Sequence, residues 1–173
     1  MARKLLHLLR PEQYLSNIYD LPVAELAQAG FKGIILDLDN TLVAWDTPTP
    51  DEQLLNWLDQ LKAYGFRICI LSNNRHHRVQ RFAEKAGVNF VAKAGKPRKR
   101  SYRQALKILN TRPAETIAVG DQLFTDVLGG NRCGIRTYLV RPIADREFIG
   151  TQIVRRFERL VLRQMKIAGG PGA

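Results

Sequence analysis

Short apolar runs alternate with longer amphipathic segments along most of the chain. Runs bounded by glycine or polar residues predict strands at 33–38, 67–72, 88–92, 116–120 and 136–140. The segments between them place apolar residues at helical spacing and predict helices at about 51–65, 74–86, 98–109 and 124–129. Alternation of this kind predicts an α/β protein with a doubly wound parallel sheet, covered by helices on both faces.

The pattern predicts a single domain over residues 1–168, followed by a flexible tail at 169–173. Within the domain we expect an N-terminal helical extension at 1–30, a central core at 31–142 and a C-terminal helix at 150–167. A chain of 173 residues is long enough to bury one substantial core.

Two carboxylates follow the first predicted strand, in the stretch Asp37-Leu38-Asp39-Asn40-Thr41. Side chains alternate along a strand, so Asp37 and Asp39 start out on the same side. Neighbouring carboxylates repel each other unless a cation lies between them or one carries a proton. Carboxylate oxygens at the end of a buried strand suit Mg²⁺. Taken alone, the stretch also fits an ordinary turn rich in Asp and Asn.

Further polar residues follow the later strands. Ser72, Asn73 and Asn74 end the second predicted strand, and Gly120 and Asp121 end the fourth. Ligands of doubly wound sheets bind outside the carboxyl ends of the strands. The topology therefore predicts that Asp37, Ser72 and Asp121 share one site.

Four motifs stand in the order typical of one superfamily: Asp37-x-Asp39-x-Thr41, Ser72, Lys96 within Gly95-Lys96-Pro97, and Gly120-Asp121-x(4)-Asp126. In these motifs the chain, from about 33 to 140, resembles the haloacid dehalogenase superfamily of phosphohydrolases. The resemblance implies a Mg²⁺-dependent phosphatase that passes through an aspartyl-phosphate. Asp37 would be the nucleophile and Asp39 the general acid and base. Lys96 would stabilise the transferring phosphoryl group.

The resemblance also implies the binding roles. Asp37, the Asp39 backbone carbonyl and Asp121 would ligate Mg²⁺, with Asp126 orienting a metal-bound water or the loop. Ser72 and the Asn73 N–H would bind phosphate. Thr41 would reach Asp37 or only bond locally, and Arg98 is a candidate contact to a second anionic group. Asn74 is expected to cap the following helix.

The intervals between motifs leave no room for a cap domain, which needs on the order of 50 residues. Together with the motifs, the stretches 16–20, 36–45, 72–74, 120–127 and 129–132 resemble the capless IIIA-type YqeG family. That family is related to phosphatidylglycerophosphate phosphatases, which implies conversion of phosphatidylglycerophosphate to phosphatidylglycerol. Ala94-Gly95 departs from the family, which tends to place a second basic residue there.

A formal net charge of +11 predicts attraction to polyanions. Seven basic residues and no acid lie between Lys93 and Lys107, and a second basic stretch lies at 151–166, where a solvated face is as good an explanation. We expect the phosphorylated substrate to be an anionic phospholipid head group, and we expect peripheral contact with an anionic membrane. Leucines at 5, 6, 8 and 9 fit either membrane insertion or packing on the protein's own core.

No apolar run is long enough to cross a bilayer, and the first residues do not form a secretory signal. The expected location is therefore the cytoplasm, with peripheral association at the inner face of the membrane. Two cysteines do not suggest a disulfide framework.

Two other functions fit parts of the sequence. One is a soluble phosphatase for a nucleotide, a sugar phosphate or a phosphoprotein. The other is a basic nucleic-acid-binding protein with a vestigial site. The intact set of Asp37, Asp39, Lys96 and Asp121 argues against the second, so nucleic acid is not expected as a partner. The sequence leaves the oligomeric state open.

Overall fold

The computed structural model describes residues 7–144. They contain six strands: β1 (Gln13–Leu15), β2 (Gly33–Leu36), β3 (Arg67–Leu71), β4 (Asn89–Val91), β5 (Thr116–Gly120) and β6 (Arg136–Val140). The helices are α1 (Val23–Gln28), α2 (Glu52–Ala63), α3 (His76–Ala86), α4 (Lys99–Leu109) and α5 (Leu128–Arg132). Short 3₁₀ turns occur at Ile18–Asp20 and Pro113–Glu115, and a π-helical turn, Leu123–Val127, precedes α5.

All six strands are parallel and form one sheet in the order β1-β6-β5-β2-β3-β4. From β2 the chain continues to β3 and β4 on one side of that strand, and it then crosses to β5 on the other side of β2. The central position of β2 follows from its sequence, Gly33-Ile34-Ile35-Leu36, in which every residue is buried. This topology confirms the predicted doubly wound α/β fold.

The residues of β2 alternate between two apolar cores. Ile34 and Leu36 belong to the core shared with α2 and α3, and Ile35 belongs to the core shared with α4. Alternation along a strand explains why one buried strand supports a helix layer on each face.

Helix α2 shows how local sequence sets an element's limits. The Asp51 side chain caps its start by accepting a hydrogen bond from the Leu54 N–H, 2.8 Å away. Its buried face carries Leu54, Trp57, Leu58 and Leu61. The helix ends just before Gly65, whose φ of +86° a side-chain-bearing residue rarely adopts.

The N-terminal segment, expected as a helical extension at 1–30, is helical at residues 7–8 and in α1 and also contains a strand. Residues 13–15 form β1, which pairs with β6 at the edge of the sheet. Leu9 is buried against Leu123, Val127 and Leu139, so this leucine packs on the core. Leu5, Leu6, the predicted helix at 150–167 and the tail at 169–173 lie outside the described residues.

No cap domain is present between residues 7 and 144. The chain between β2 and β3 contains a loop and α2, and the chain between β3 and Lys96 contains α3 and β4. Within the same range, no helix combines the length and apolar character that crossing a membrane requires. Cys69 is buried in β3 and Cys133 is half-buried, and both are free thiols.

Candidate active site

The carboxyl ends of the three neighbouring strands β2, β3 and β5 form the base of the site. Asp37 follows β2 directly and continues its ladder, since its N–H donates to the Val119 carbonyl of β5. Ser72 follows β3, and Asp121 follows β5. A cleft of about 350 Å³ opens above these strand ends. It is lined by Asp37, Asp39, Asn40, Trp45, Ser72, Asn73, Asn74, Lys96, Gln122 and Thr125.

Lys96 enters the site from the loop between β4 and α4. Its ammonium group lies 2.5 Å from Asp37 Oδ1 and 2.7 Å from Asp126 Oδ1. The loop is held by the Asn73 side-chain oxygen, which accepts a hydrogen bond from the Lys96 N–H at 2.7 Å. The lysine side chain is 4% exposed, so its charge acts where water screens it little.

A buried acidic cluster lies around Asp37. Asp37, Asp121 and Asp126 each place a carboxylate oxygen within 4.8 Å of the others. The Thr41 hydroxyl lies 3.3 Å from Asp37 Oδ2 and 3.2 Å from Asp121 Oδ1, within hydrogen-bond reach of both. One hydroxyl hydrogen can be donated to only one of them at a time. Thr41 therefore links the strand ends of β2 and β5 as well as its own loop.

The charges in this cluster shift the pKa values of its members. Burial raises the pKa of Asp37 well above its ordinary value, and Lys96 offsets only part of that rise. Asp126 and Asp121 raise it further by repulsion. Burial alone would lower the pKa of Lys96, but Asp126 and Asp37 outweigh burial and hold that pKa above its usual range. The neighbouring carboxylates therefore favour the charged form of Lys96.

The cluster fits a divalent cation. One ammonium group faces three carboxylates, so the fully ionised cluster carries an excess of two negative charges. All candidate ligand atoms are oxygens, the ligand type that Mg²⁺ prefers. Asp126 already accepts from Lys96 and, through Oδ2, from the Gln122 N–H at 3.1 Å. Asp37 and Asp121 are accordingly the better candidates for direct ligands.

Asp39 points away from Lys96, toward the start of α3. Its Oδ1 accepts from Arg78 Nε at 2.9 Å and from Arg78 Nη2 at 2.6 Å. Its Oδ2 lies 3.0 Å from Asn74 Nδ2 and 3.4 Å from Ser72 Oγ. Both oxygens are thus oriented by side chains from one segment of the chain.

Sequence reasoning missed Arg78 altogether. A signal was available, because Arg78 lies four residues before the buried Phe82 and so shares the inward side of α3. Arg75 and Arg81 flank it at similar spacing, however, and the sequence does not distinguish among the three.

The predicted capping role of Asn74 is wrong. Helix α3 begins at His76 with Arg75 as its N-cap residue, and no side chain caps it. The Asn74 amide group is instead directed to Asp39, while the Asn74 N–H donates to Ser72 Oγ at 3.1 Å. The short loop between β3 and α3 therefore orients the carboxylate rather than the helix.

A π-helical turn brings Asp126 back under β5. A Cβ atom at Gly120 would overlap the Asp126 carboxylate, so only glycine permits this approach. The buried Tyr102 hydroxyl lies 3.1 Å from the Thr125 carbonyl oxygen and 3.2 Å from that of Asp126, and its one hydrogen fixes the turn by donating to either of them. Gly129 makes room for the Tyr102 ring.

Two further residues stand at the edge of the site. Trp45 is 49% exposed and lines the cleft. Arg98 is exposed, does not line the cleft, and lies against Gly95. Every sequence-predicted site residue except Arg98 thus lines the cleft, belongs to the acidic cluster or, like Thr41, contacts that cluster.

Comparison with known proteins identifies the family. The model of the haloacid dehalogenase-like hydrolases matches residues 23–134. The chain is 39% identical over 159 residues to the probable phosphatase YqeG of Bacillus subtilis, covering 92% of each protein. It is 30% identical over 150 residues to phosphatidylglycerophosphate phosphatase 1, chloroplastic/mitochondrial, of Arabidopsis thaliana, covering 80% of this chain and 43% of that protein.

Solved structures share the fold at low sequence identity. The cobalt-bound deoxy-D-mannose-octulosonate 8-phosphate phosphatase of Haemophilus influenzae superposes with a TM-score of 0.54 at 15% identity, covering 80% of this chain and 90% of that one. The 3-deoxy-D-manno-octulosonate 8-phosphate phosphatase of Moraxella catarrhalis, a complex with magnesium, phosphate and sugar, gives 0.51 at 18% identity, covering 80% and 91%. The family match and the 39% identity to the Bacillus subtilis protein place the chain among the haloacid dehalogenase-like hydrolases, as a YqeG-like phosphatase that hydrolyses phosphoric monoesters.

Proposed function

We propose that the protein is a Mg²⁺-dependent phosphatase that forms an aspartyl-phosphate and acts on phosphatidylglycerophosphate to yield phosphatidylglycerol. The observation that carries the chemistry is the contact between Lys96 and Asp37 at the base of an open cleft. A buried cation beside a carboxylate prepares a place for a phosphoryl group next to an attacking oxygen.

In the first step Asp37 attacks phosphorus and becomes phosphorylated, while the bond to the leaving oxygen breaks. Asp39 gives that oxygen a proton. In the second step Asp39 takes a proton from water, which attacks phosphorus and restores Asp37. The hydroxyl of Ser72 and the backbone N–H of Asn73 bind phosphate oxygens, and Lys96 offsets the repulsion between Asp37 and the incoming phosphate.

Mg²⁺ would be held by the carboxylates of Asp37 and Asp121, together with the backbone carbonyl of Asp39. When bound, the ion neutralises charge on the phosphoryl oxygens. Asp126 holds Lys96 and the turn at Gln122 in position. The Thr41 hydroxyl keeps Asp37 and Asp121 at a fixed separation.

Three observations support a lipid phosphomonoester as substrate. The Arabidopsis relative named phosphatidylglycerophosphate phosphatase is 30% identical over most of this chain. No cap covers the cleft in the described part of the chain, so a head group held at a surface has access. The exposed Trp45 at the rim offers an amphipathic ring of the kind enriched at membrane interfaces.

The outer face of α4 supports contact with an anionic membrane. Lys99, Arg100, Arg103 and Lys107 are exposed on it, and no acidic residue occurs in the helix. The helix begins three residues after Lys96, so this basic face starts beside the cleft. Each basic residue near an anionic leaflet contributes about 1 kcal/mol.

The test is a phosphate-release assay with purified protein. Phosphatidylglycerophosphate in mixed micelles is compared with soluble sugar and nucleotide phosphates, each with Mg²⁺ and with EDTA. We expect Mg²⁺-dependent hydrolysis of the lipid in preference to the soluble esters, and loss of that activity in Asp37→Asn. Asp59→Asn, at an exposed position on α2, is the matched control. Preference for a soluble ester would overturn the lipid assignment, and full activity in EDTA would overturn the metal assignment.

A further inference from the structure

Arg78 contacts two parts of the cleft wall. Its Nε and Nη2 atoms donate to the Asp39 carboxylate, at 2.9 and 2.6 Å. Its Nη1 atom donates to the Thr47 carbonyl at 3.1 Å, and Nη2 also reaches the Ala44 carbonyl at 3.4 Å. One planar guanidinium group therefore contacts the candidate acid–base residue and the loop that follows it.

The loop in question is a tight turn at Ala44–Thr47, closed by a hydrogen bond from the Thr47 N–H to the Ala44 carbonyl at 2.9 Å. Its second residue is Trp45, which lines the cleft together with Asp39. The turn and the carboxylate thus face the same space, where the alcohol part of a phosphomonoester would lie once the phosphate contacts Lys96.

The position of Arg78 in α3 is electrostatically unfavourable for the helix alone. It is the third residue of α3, and the first turn contains no acidic residue. The positive end of the helix macrodipole favours anions there and disfavours cations. Arg78 is half-buried, with 21% of its side chain exposed, and its contact with Asp39 compensates for that placement.

We propose that Arg78 is a positioning residue that holds the Asp39 carboxylate and the Ala44–Thr47 turn in one fixed arrangement, aimed at the leaving oxygen. The inference rests on the proposed function, because it takes Asp39 as the general acid. Arg78 contacts neither the phosphoryl site at Lys96 nor the buried acidic cluster. Its effect is therefore confined to what Asp39 does, which is to protonate the leaving oxygen in the first step and to activate water in the second, and only the first of these depends on the leaving group.

Because Arg78 acts through Asp39, the loss of rate on replacing Arg78 should depend on the leaving group. Phenyl phosphate and p-nitrophenyl phosphate have nearly the same size, but phenolate needs a proton on departure far more than nitrophenolate does. A misplaced general acid slows the first substrate more than the second. A general loss of folding or of phosphate binding would slow both equally.

The experiment measures kcat and KM for both substrates with Arg78→Gln, Arg78→Lys and the unmodified protein. Because kcat/KM covers only the steps up to formation of the aspartyl-phosphate, we expect Arg78→Gln to lose about 10²-fold in kcat/KM on phenyl phosphate and roughly 10-fold or less on p-nitrophenyl phosphate. Arg78→Lys keeps the charge but not the planar fork, so its loss should be intermediate and follow the same order. Arg81→Gln, at an exposed position on the same helix, should leave both rates unchanged.

A double-variant cycle separates positioning from a structural role. Asp39→Asn removes the group that Arg78 is proposed to position, so adding Arg78→Gln to it should cost little more in kcat/KM. Equal losses on the two substrates, or additive losses in the double variant, would overturn the role of Arg78. Absence of phosphatase activity in the unmodified protein would instead overturn the proposed function itself.

Discussion

Lys96 Nζ lies 2.5 Å from Asp37 Oδ1, although 59 residues separate the two along the chain. Both side chains are less than 10% exposed. The contact forms because β2 ends at Asp37 in the centre of the sheet and the Asn73 side chain holds the lysine loop above it. Breaking a buried ion pair of this kind lowers the free energy of unfolding by an amount that can be measured.

Replacement of Lys96 tests that cost. Lys96→Met keeps the length of the side chain but leaves Asp37 and Asp126 without their cation. Breaking a buried ion pair in this way is expected to lower the free energy of unfolding by about 3–5 kcal/mol. Urea unfolding in EDTA measures the loss. Lys99→Met, at an exposed position, is the control, and equal midpoints for the two variants would contradict the assigned contact.

Metal binding should depend on pH in a defined direction. Burial raises the pKa of Asp37, so this carboxyl keeps its proton to higher pH than an ordinary aspartate and competes with the metal. Added Mg²⁺ should therefore raise Tm more at pH 8 than at pH 6. Calorimetry with Asp121→Asn should show little shift at either pH, while Asp59→Asn should behave like the unmodified protein. A larger shift at the lower pH would contradict this account.

The Tyr102 hydroxyl fixes the turn that carries Asp126. Tyr102→Phe removes this donor from the carbonyl oxygens of the half-buried Thr125 and the buried Asp126, which should cost about 1–3 kcal/mol. Chemical denaturation compares it with Tyr64→Phe, where the ring is 52% exposed and no change is expected. Similar stability of the two variants would show that the hydroxyl does not hold the turn.

The basic face of α4 can be tested apart from catalysis. Replacing Lys99, Arg103 and Lys107 by glutamine should weaken binding to phosphatidylglycerol vesicles by about 1 kcal/mol per residue, and less at high salt. Vesicle sedimentation measures this. Replacing the exposed Arg67, Arg81 and Lys85 removes the same charge from elsewhere and should have a smaller effect. Equal effects would mean that net charge, rather than this face, controls binding.

The parts of the site that sequence reasoning predicted are those set by strand ends. Asp37, Ser72 and Asp121 each follow an apolar run, and parallel strands bring such residues to one edge of the sheet. Lys96 was predicted from its motif, but its second contact, with Asp126, depends on the π-helical turn after β5. Nothing in the sequence signals a turn of that type.

Three features of the structure were not predicted: the start of α3, strand β1 and the contacts of Arg78. Helix α3 begins two residues later than predicted. Asn74 therefore does not cap the helix, and its side-chain amide donates a hydrogen bond to Asp39 instead. Strand β1 has only three residues at the sheet edge, too few for a recognisable alternating pattern. In the sequence, nothing distinguishes Arg78 from the neighbouring surface arginines. Only the folded structure shows that the loop after β2 contacts it.

The most direct test of the central claim is to trap the covalent intermediate. The enzyme is mixed with p-nitrophenyl phosphate and Mg²⁺ and quenched in acid during turnover, and the peptide containing Asp37 is examined by mass spectrometry. We predict a phosphoryl group on Asp37 in the unmodified protein and none in Asp37→Asn. Turnover without phosphorylation at this residue, or undiminished hydrolysis by Asp37→Asn, would contradict the account.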